Sequence, residues 1–284
     1  MSITKDAKTS LHTLEGYYLI DLDAPFTWRD CRIRARGVAA FSWSTLAFPR
    51  QVKTLIHHMK DKFALCLPSS SKAPGVTFLG DGPFYFTSFP NLDLRSILSY
   101  TPMVRKYSKS LGYYITINRI AINGITVPLP SLKTGSVKLS TVIPYTELRS
   151  DIFKAFVSSF SIATQSIPRL KLVQPFSLCL KSSAVGSVEK GFRVPKIDLE
   201  TESGKNWTIS GDNSMKRVGN GTTCLAFVDG GLRMKDAIMI GTFQLENNFL
   251  FLDLRKQKLG FSSSLLARGT SCSNFNFTYV PEYD

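Results

Sequence analysis

The sequence predicts a mainly β protein, and three observations carry that expectation. Apolar runs are short and alternate with a period near two, as in GVTFLG (75–80), YYITINRIAINGITVPL (113–129) and FLFLDLRKQKLGFS (249–262). Glycine, proline, asparagine and serine punctuate these runs. One dipeptide, Asn123-Gly124, stands between two of them and predicts a two-residue hairpin turn, because both residues tolerate left-handed backbone.

Two helices interrupt the β pattern. In PRQVKTLIHHMK (49–60), Val52, Leu55, Ile56 and Met59 follow the spacing of one helical face, with Pro49 suited to the first turn. His57 and His58 fall on its polar flank, where solvated surface residues are expected, since no acidic or cysteine partner sits at metal-ligand spacing. In SDIFKAFVSSF (150–160), Ile152, Phe153, Phe156, Val157 and Phe160 line one face and Ser150 is positioned to cap it. TPMVRKYSKSLG (101–112) is polar and turn-rich, placing a boundary near 95–112 and dividing the chain into lobes 1–96 and 97–284.

The 284 residues are 43% hydrophobic with a mean hydropathy of zero, which suits a soluble globular protein of one or two domains. No apolar run approaches the roughly 20 residues that cross a bilayer, so membrane insertion is not expected. The opening MSITKDAKTS is polar and lacks a stretch of signal-peptide type, so the chain as written carries no export signal. The formal net charge is +14, scattered except at RDCRIRAR (29–36), where four of eight residues are arginine. That run has no interleaved aromatics, and zinc-finger, RNP and KH patterns are absent, which argues against a nucleic-acid partner.

Five cysteines, Cys31, Cys66, Cys179, Cys224 and Cys272, form no CxxC pair, so zinc and thioredoxin-type chemistry are not expected. Wide spacing and an odd count read as two disulfides and an orphan. Sequons at Asn206, Asn220 and Asn276 are glycosylation candidates and, with the cysteines, favour an oxidising compartment.

The stretch with most chemistry is YYLIDLDAPFTWRDC (17–31), an apolar strand running into Asp21. Aspartic-protease hydrolysis needs two carboxylates sharing one proton, so that repulsion splits their pKa values and one acts as base, the other as acid. Each sits in a turn where Thr or Ser supplies a hydroxyl and Gly permits close backbone approach. Asp21 and Asp23 could suggest a metal pair, but two carboxylates without further ligands make no metal site, and no cofactor is expected.

GVTFLGDGPFYF, TPMV, IAINGITVPL and IMIGTFQLENNFLFLDLRKQKLGFS resemble the middle and close of the plant pepsin-like (peptidase A1) family. ITKDAKTSLHT, KFALCLPSS, KLSTVIPYTELRSDIF, NWTISGDNSM, CLAFVDGG and GFSSSLLARGTSCSNFNFT are similar to its subgroup of basic 7S globulins, extracellular dermal glycoproteins and xylanase- and xyloglucanase-inhibitor proteins. The resemblance implies a bilobal pepsin-like acid-protease fold, with a large block of the first lobe, including the substrate-covering flap, deleted after Cys31. Asp21 falls at the first catalytic position, but Leu22 and Asp23 replace the Thr/Ser and Gly that should follow. At the second position stands Ser140, followed by Thr141 and Val142. One carboxylate cannot form the proton-sharing pair, so the expected protein is not an enzyme.

The resemblance also pairs Cys66 with Cys272 and Cys179 with Cys224, leaves Cys31 free, and implies an extracellular or cell-wall location. Inhibitory members of the subgroup insert a cationic loop into the two-carboxylate cleft of a microbial glycoside hydrolase. Arg169, before the PFSLC element, and Arg268, four residues before Cys272, are the inhibitory-loop candidates, with Arg268 displaced by one position from the glucanase-inhibitor pattern. The expected function is therefore that of a catalytically degenerate inhibitor of such hydrolases in plant defence. An aspartic endopeptidase, a storage or peptide-binding globulin, and a truncated paralogue without function are the alternatives.

Overall fold

The computed structural model describes residues 37–70, 72–88, 91–106, 110–129, 136–188, 191–219 and 221–275, with three short upstream strands, Ser2–Ile3, His12–Thr13 and Tyr18–Asp21. The chain forms two compact units. The first is Met1–Tyr113, Ser140–Val142 and Glu246–Asp284, and the second Tyr114–Leu139 and Ile143–Leu245. This differs from a division at 96/97, and long-range strand pairing is the reason. Phe249–Asp253 pairs antiparallel with Lys62–Cys66, and Lys258–Phe261 with Ser99–Pro102, so the C-terminal segment is hydrogen-bonded into the first unit.

The first unit is built on a five-stranded antiparallel sheet ordered Val76–Leu79, Lys62–Cys66, Phe249–Asp253, Lys258–Phe261, Ser99–Pro102. Val76–Leu79 and Phe249–Asp253 are buried at every residue, so both faces of these strands are covered. On one of them Phe78, Phe84, Phe86, Phe249 and Phe251 form a ring cluster joined by Phe275, with the Phe86 and Phe275 centroids 4.0 Å apart. Phenylalanines dominate because each removes a large apolar area from water and tilted ring pairs add to that gain. The Cys66–Cys272 disulfide lies in this core.

The first helix, α1 (Phe48–Leu55), is shorter than the 49–60 stripe predicts. Ile56 leaves helical geometry, His57 and His58 occupy an exposed turn, and Met59 reaches the core beyond the helix end. Leu55, expected on the buried face, is 82% exposed.

The second unit contains an eight-stranded mixed sheet. Its order is Asn206–Ile209, Ile197–Thr201, Tyr114–Ile122, Ser136–Leu139, Ile238–Ile240, Thr146–Leu148, Phe227–Asp229, with Ile125–Thr126 folding back on Tyr114–Ile122. That hairpin turns at Asn123 and Gly124, with φ of 51° and 82°, as their sequence predicts. A second helix, α2 (Ser150–Ala163), buries Ile152, Phe153, Phe156 and Phe160, and Phe156 packs on Phe227 at 4.7 Å between centroids. Ser150 does not cap it. The residue is already helical, and its hydroxyl donates to Asp229 Oδ1 at 2.6 Å, because Phe227–Asp229 runs parallel beside Thr146–Leu148 and ends at the helix start.

A three-stranded sheet, Cys179–Lys181, Thr222–Leu225 and Met215–Gly219, sets Cys179 opposite Cys224, where the second disulfide forms. Sequence periodicity did not reveal the buried Gln244. Its Oε1 accepts from the Thr146 amide and hydroxyl at 2.8 Å each, and its Nε2 donates to the carbonyls of Asn213 and Ala226. One amide thereby answers polar groups from three separate segments, which a buried network requires.

Candidate functional site

The two positions that the family resemblance sets against protease carboxylates have different surroundings. Asp21 ends the strand Tyr18–Asp21, in parallel register with Ala40 of Gly37–Ala40. Its side chain, Leu22, Asp23, Cys31 and the arginine-rich 29–36 lie outside the described residues. Ser140 follows the strand Ser136–Leu139 and is 1% exposed, and its hydroxyl accepts from the Val142 amide at 3.3 Å. A serine in this turn contributes a short hydrogen-bonding side chain and no titrating proton near neutral pH.

Arg169 stands in the second unit, past the C-terminus of α2, where it forms an isolated antiparallel bridge to Leu180. Its guanidinium turns back onto the helix. One terminal nitrogen donates to Thr164 Oγ1 at 3.0 Å, and the other to the Ser161 carbonyl at 2.7 Å and the Ser161 hydroxyl at 3.1 Å. Helix C-termini leave carbonyls unanswered and carry a partial negative charge, so a cation there is favourable. Partial burial lowers the pKa of this guanidinium below its ordinary value.

Beyond Arg169 the segment Lys171–Pro175 is exposed at every residue, including Leu172 at 54%. Its far end is held by Phe176, buried against Tyr145 at 4.8 Å, and by the Cys179–Cys224 bridge. The result is a short exposed loop with a basic and an apolar side chain between two fixed ends. Sequence reasoning singles out only Arg169, at the root of this loop, although Lys171-Leu172-Val173 ahead of Gln174-Pro175 is the signal that could find the loop itself.

Arg268 belongs to the first unit and ends the 3₁₀ turn Leu265–Arg268. It is exposed, without a hydrogen bond or ion pair among the described residues, and lines a cavity of about 240 Å³ with Leu92, Leu94, Ile97, Leu265 and Thr270. Asn206 is exposed at the start of its strand, whereas Asn220 and Asn276 lie outside the described residues. Among the described residues no helix is long and apolar enough to cross a membrane, and no group of three His, Cys, Asp or Glu could hold a metal ion.

The strand-rich units define a pepsin-like protein, and comparison with known proteins agrees. The solved structure of EDGP superposes with a TM-score of 0.80 at 32% identity, covering 87% of this chain and 64% of that one. The family described as Xylanase inhibitor C-terminal matches residues 112–263, and the chain belongs to that family. Curated relatives include Chitinase CLP of Oryza sativa subsp. japonica, 40% identical over 252 residues and covering 86% of this chain and 59% of the relative. Another is "Probable aspartic proteinase GIP2" of Nicotiana benthamiana, 33% identical over 288 residues and covering 95% and 65% respectively. The chain thus spans about three fifths of the length of these relatives.

Proposed function

We propose that this protein is a non-catalytic, extracellular binding protein that inhibits microbial glycoside hydrolases of the xyloglucanase or xylanase type. The observation that carries the reading is the exposed loop Lys171–Pro175, rooted at one end by Arg169 on α2 and at the other by Phe176 and the disulfide. A loop whose ends are fixed loses little conformational freedom on binding, which favours affinity. Its one cationic side chain, Lys171, is complementary to the paired carboxylates of a glycosidase cleft, and apolar Leu172 suits the sugar-binding surface around them. The tethered guanidinium of Arg169 gives it a specific part: it positions the loop, and Lys171 presents the charge. Arg268, exposed on the first unit, is a second candidate contact.

Three features support the non-catalytic part. Ser140 supplies no carboxylate for a shared-proton pair, its hydroxyl is engaged by the backbone, and the family matched is named for inhibitors. Two disulfides and an exposed sequon at Asn206 suit a secreted protein.

The test is an inhibition assay of the folded protein against microbial xylanases and xyloglucanases, with Arg169→Ala, Lys171→Ala and Arg268→Ala alongside. Wild type inhibits, and the loop variants weaken inhibition about tenfold or more, the usual cost of removing one charged contact. A folded wild type that inhibits none of them overturns the reading, as does pepstatin-sensitive proteolysis at acid pH.

A further inference from the structure

The first unit holds a group of aromatic residues separate from the phenylalanine core described above. Phe63 is 0% exposed, Tyr113 0% and Trp43 8%. The Tyr113 ring centroid lies 5.3 Å from Trp43 and 5.8 Å from Phe63. The Trp43 amide donates to the Leu111 carbonyl at 2.9 Å, fixing the two segments together. Such a cluster should be dry and its polar atoms answered.

They are not answered. The Tyr113 hydroxyl, Trp43 Nε1 and Arg50 Nε are all buried and all without a hydrogen-bond partner among the described residues. The Arg105 guanidinium sits over the Trp43 ring, 4.7 Å from its centroid. Burial pushes the Tyr113 phenol well above its ordinary value, while the charges of Arg50 and Arg105 are close enough to oppose that rise. Neither arginine has an ion-pair partner among the described residues.

The chemistry of this set is one-sided. Indole and guanidinium nitrogens only donate, a tyrosine hydroxyl donates or accepts, and two positive charges stand beside them. A buried donor left unmade costs about 1–3 kcal/mol, and three on neighbouring side chains call for an acceptor. The two cations specify that the acceptor is an anion. A planar carboxylate can take paired N–H bonds from a guanidinium on one edge and a further donor on its other lone pairs. Arg50 is half-buried and Arg105 exposed, so the arginine side is the one from which a carboxylate reaches these buried atoms.

We propose that Trp43, Tyr113, Arg50 and Arg105 form a carboxylate-binding site. The carboxylate can come from a small organic acid or from an acidic side chain of another polypeptide, and the experiment separates these. The full-length protein, labelled with nitrogen-15 and kept in chloride buffer, gives three tryptophan indole N–H resonances, and Trp43→Phe assigns the one from Trp43. Sodium malonate is titrated in, with sodium chloride at matched ionic strength as control, and a capped Gly-Asp-Gly peptide forms a second arm.

The Trp43 indole resonance is expected to move saturably with malonate while that of Trp207 stays still. Arg105→Gln and Arg50→Gln each weaken the apparent affinity about tenfold, the scale of one lost charged hydrogen bond. Saturation by malonate alone identifies a small-acid site, and saturation by the peptide as well identifies one that accepts protein side chains. No saturable movement, the same movement in chloride, or unchanged affinity in both arginine variants overturns the proposal. Should either variant lose its dispersed spectrum, the wild-type titration decides alone.

Discussion

Ser140 is the residue on which the enzymatic reading turns. With 1% exposure and its hydroxyl held by the Val142 amide, the position has no room for a solvated charge. Ser140→Asp is expected to lower stability by about 2–4 kcal/mol, because a carboxyl is buried without designed partners, and to generate no pepstatin-sensitive proteolysis. Thermal melting and an acid-protease assay check both. Asp81 has the opposite situation. Burial works to raise its pKa, but hydrogen bonds from Lys62 and Lys60, with their charges, hold the carboxyl below its ordinary 3.8. A depressed carboxyl pKa gives stability that is present above the unfolded value and lost as pH falls through the folded one. Melting temperature should therefore drop more steeply below pH ~4 in wild type than in Asp81→Asn, which forfeits that contribution at every pH. Lys62 titrates the other way. Its raised pKa gives stability that is complete below 10.5 and lost at more alkaline pH. Neither network was legible in the sequence, because Lys62, Asp81 and Asp253 meet only through strand pairing.

Elements were legible where local chemistry decides them and obscure where tertiary contacts do. The Asn123-Gly124 turn follows from its two residues alone, since both adopt positive φ. Gly124→Val should cost about 1–2 kcal/mol by forcing a β-branched residue into left-handed backbone, measurable as a shift in the urea midpoint. The apolar stripe of α2 was also readable, but its ends were not. The serine expected to cap it is taken by Asp229, and its C-terminus is closed by Arg169, five residues past Thr164. Arg169→Ala is expected to destabilise the second unit by about 1 kcal/mol, while Arg169→Lys recovers only part of this, because an ammonium cannot reproduce the fork onto Ser161 and Thr164. For α1 the stripe misled. The chain leaves helical geometry at Ile56 to enter the strand Lys62–Cys66, so Leu55 is left outside and Met59 turns in.

At the scale of the whole molecule, the disulfide pairing came from family resemblance, and the polar stretch 101–112 marks the first crossing between the units but not the return of the C-terminal segment. No composition shift marks the return of Phe249–Asp253 to pair with Lys62–Cys66, because that contact joins segments some 190 residues apart, well beyond any local pattern. The Cys66–Cys272 bridge spans 206 residues, and a closed loop of that length implies stabilisation of about 5 kcal/mol in the chain-entropy account. Replacing both cysteines by serine should lower the urea midpoint accordingly, with the Cys179–Cys224 pair, spanning 45 residues, giving a smaller loss. The order of the units along the chain also bears on synthesis. The second unit is complete once Leu245 has left the ribosome, whereas two strands of the five-stranded sheet have yet to emerge at that moment. Domains fold as they emerge. The later part of the message thus yields the earlier finished body, and for the seconds in between Lys62–Cys66, paired to Val76–Leu79 on one side only, presents an open strand edge on the other.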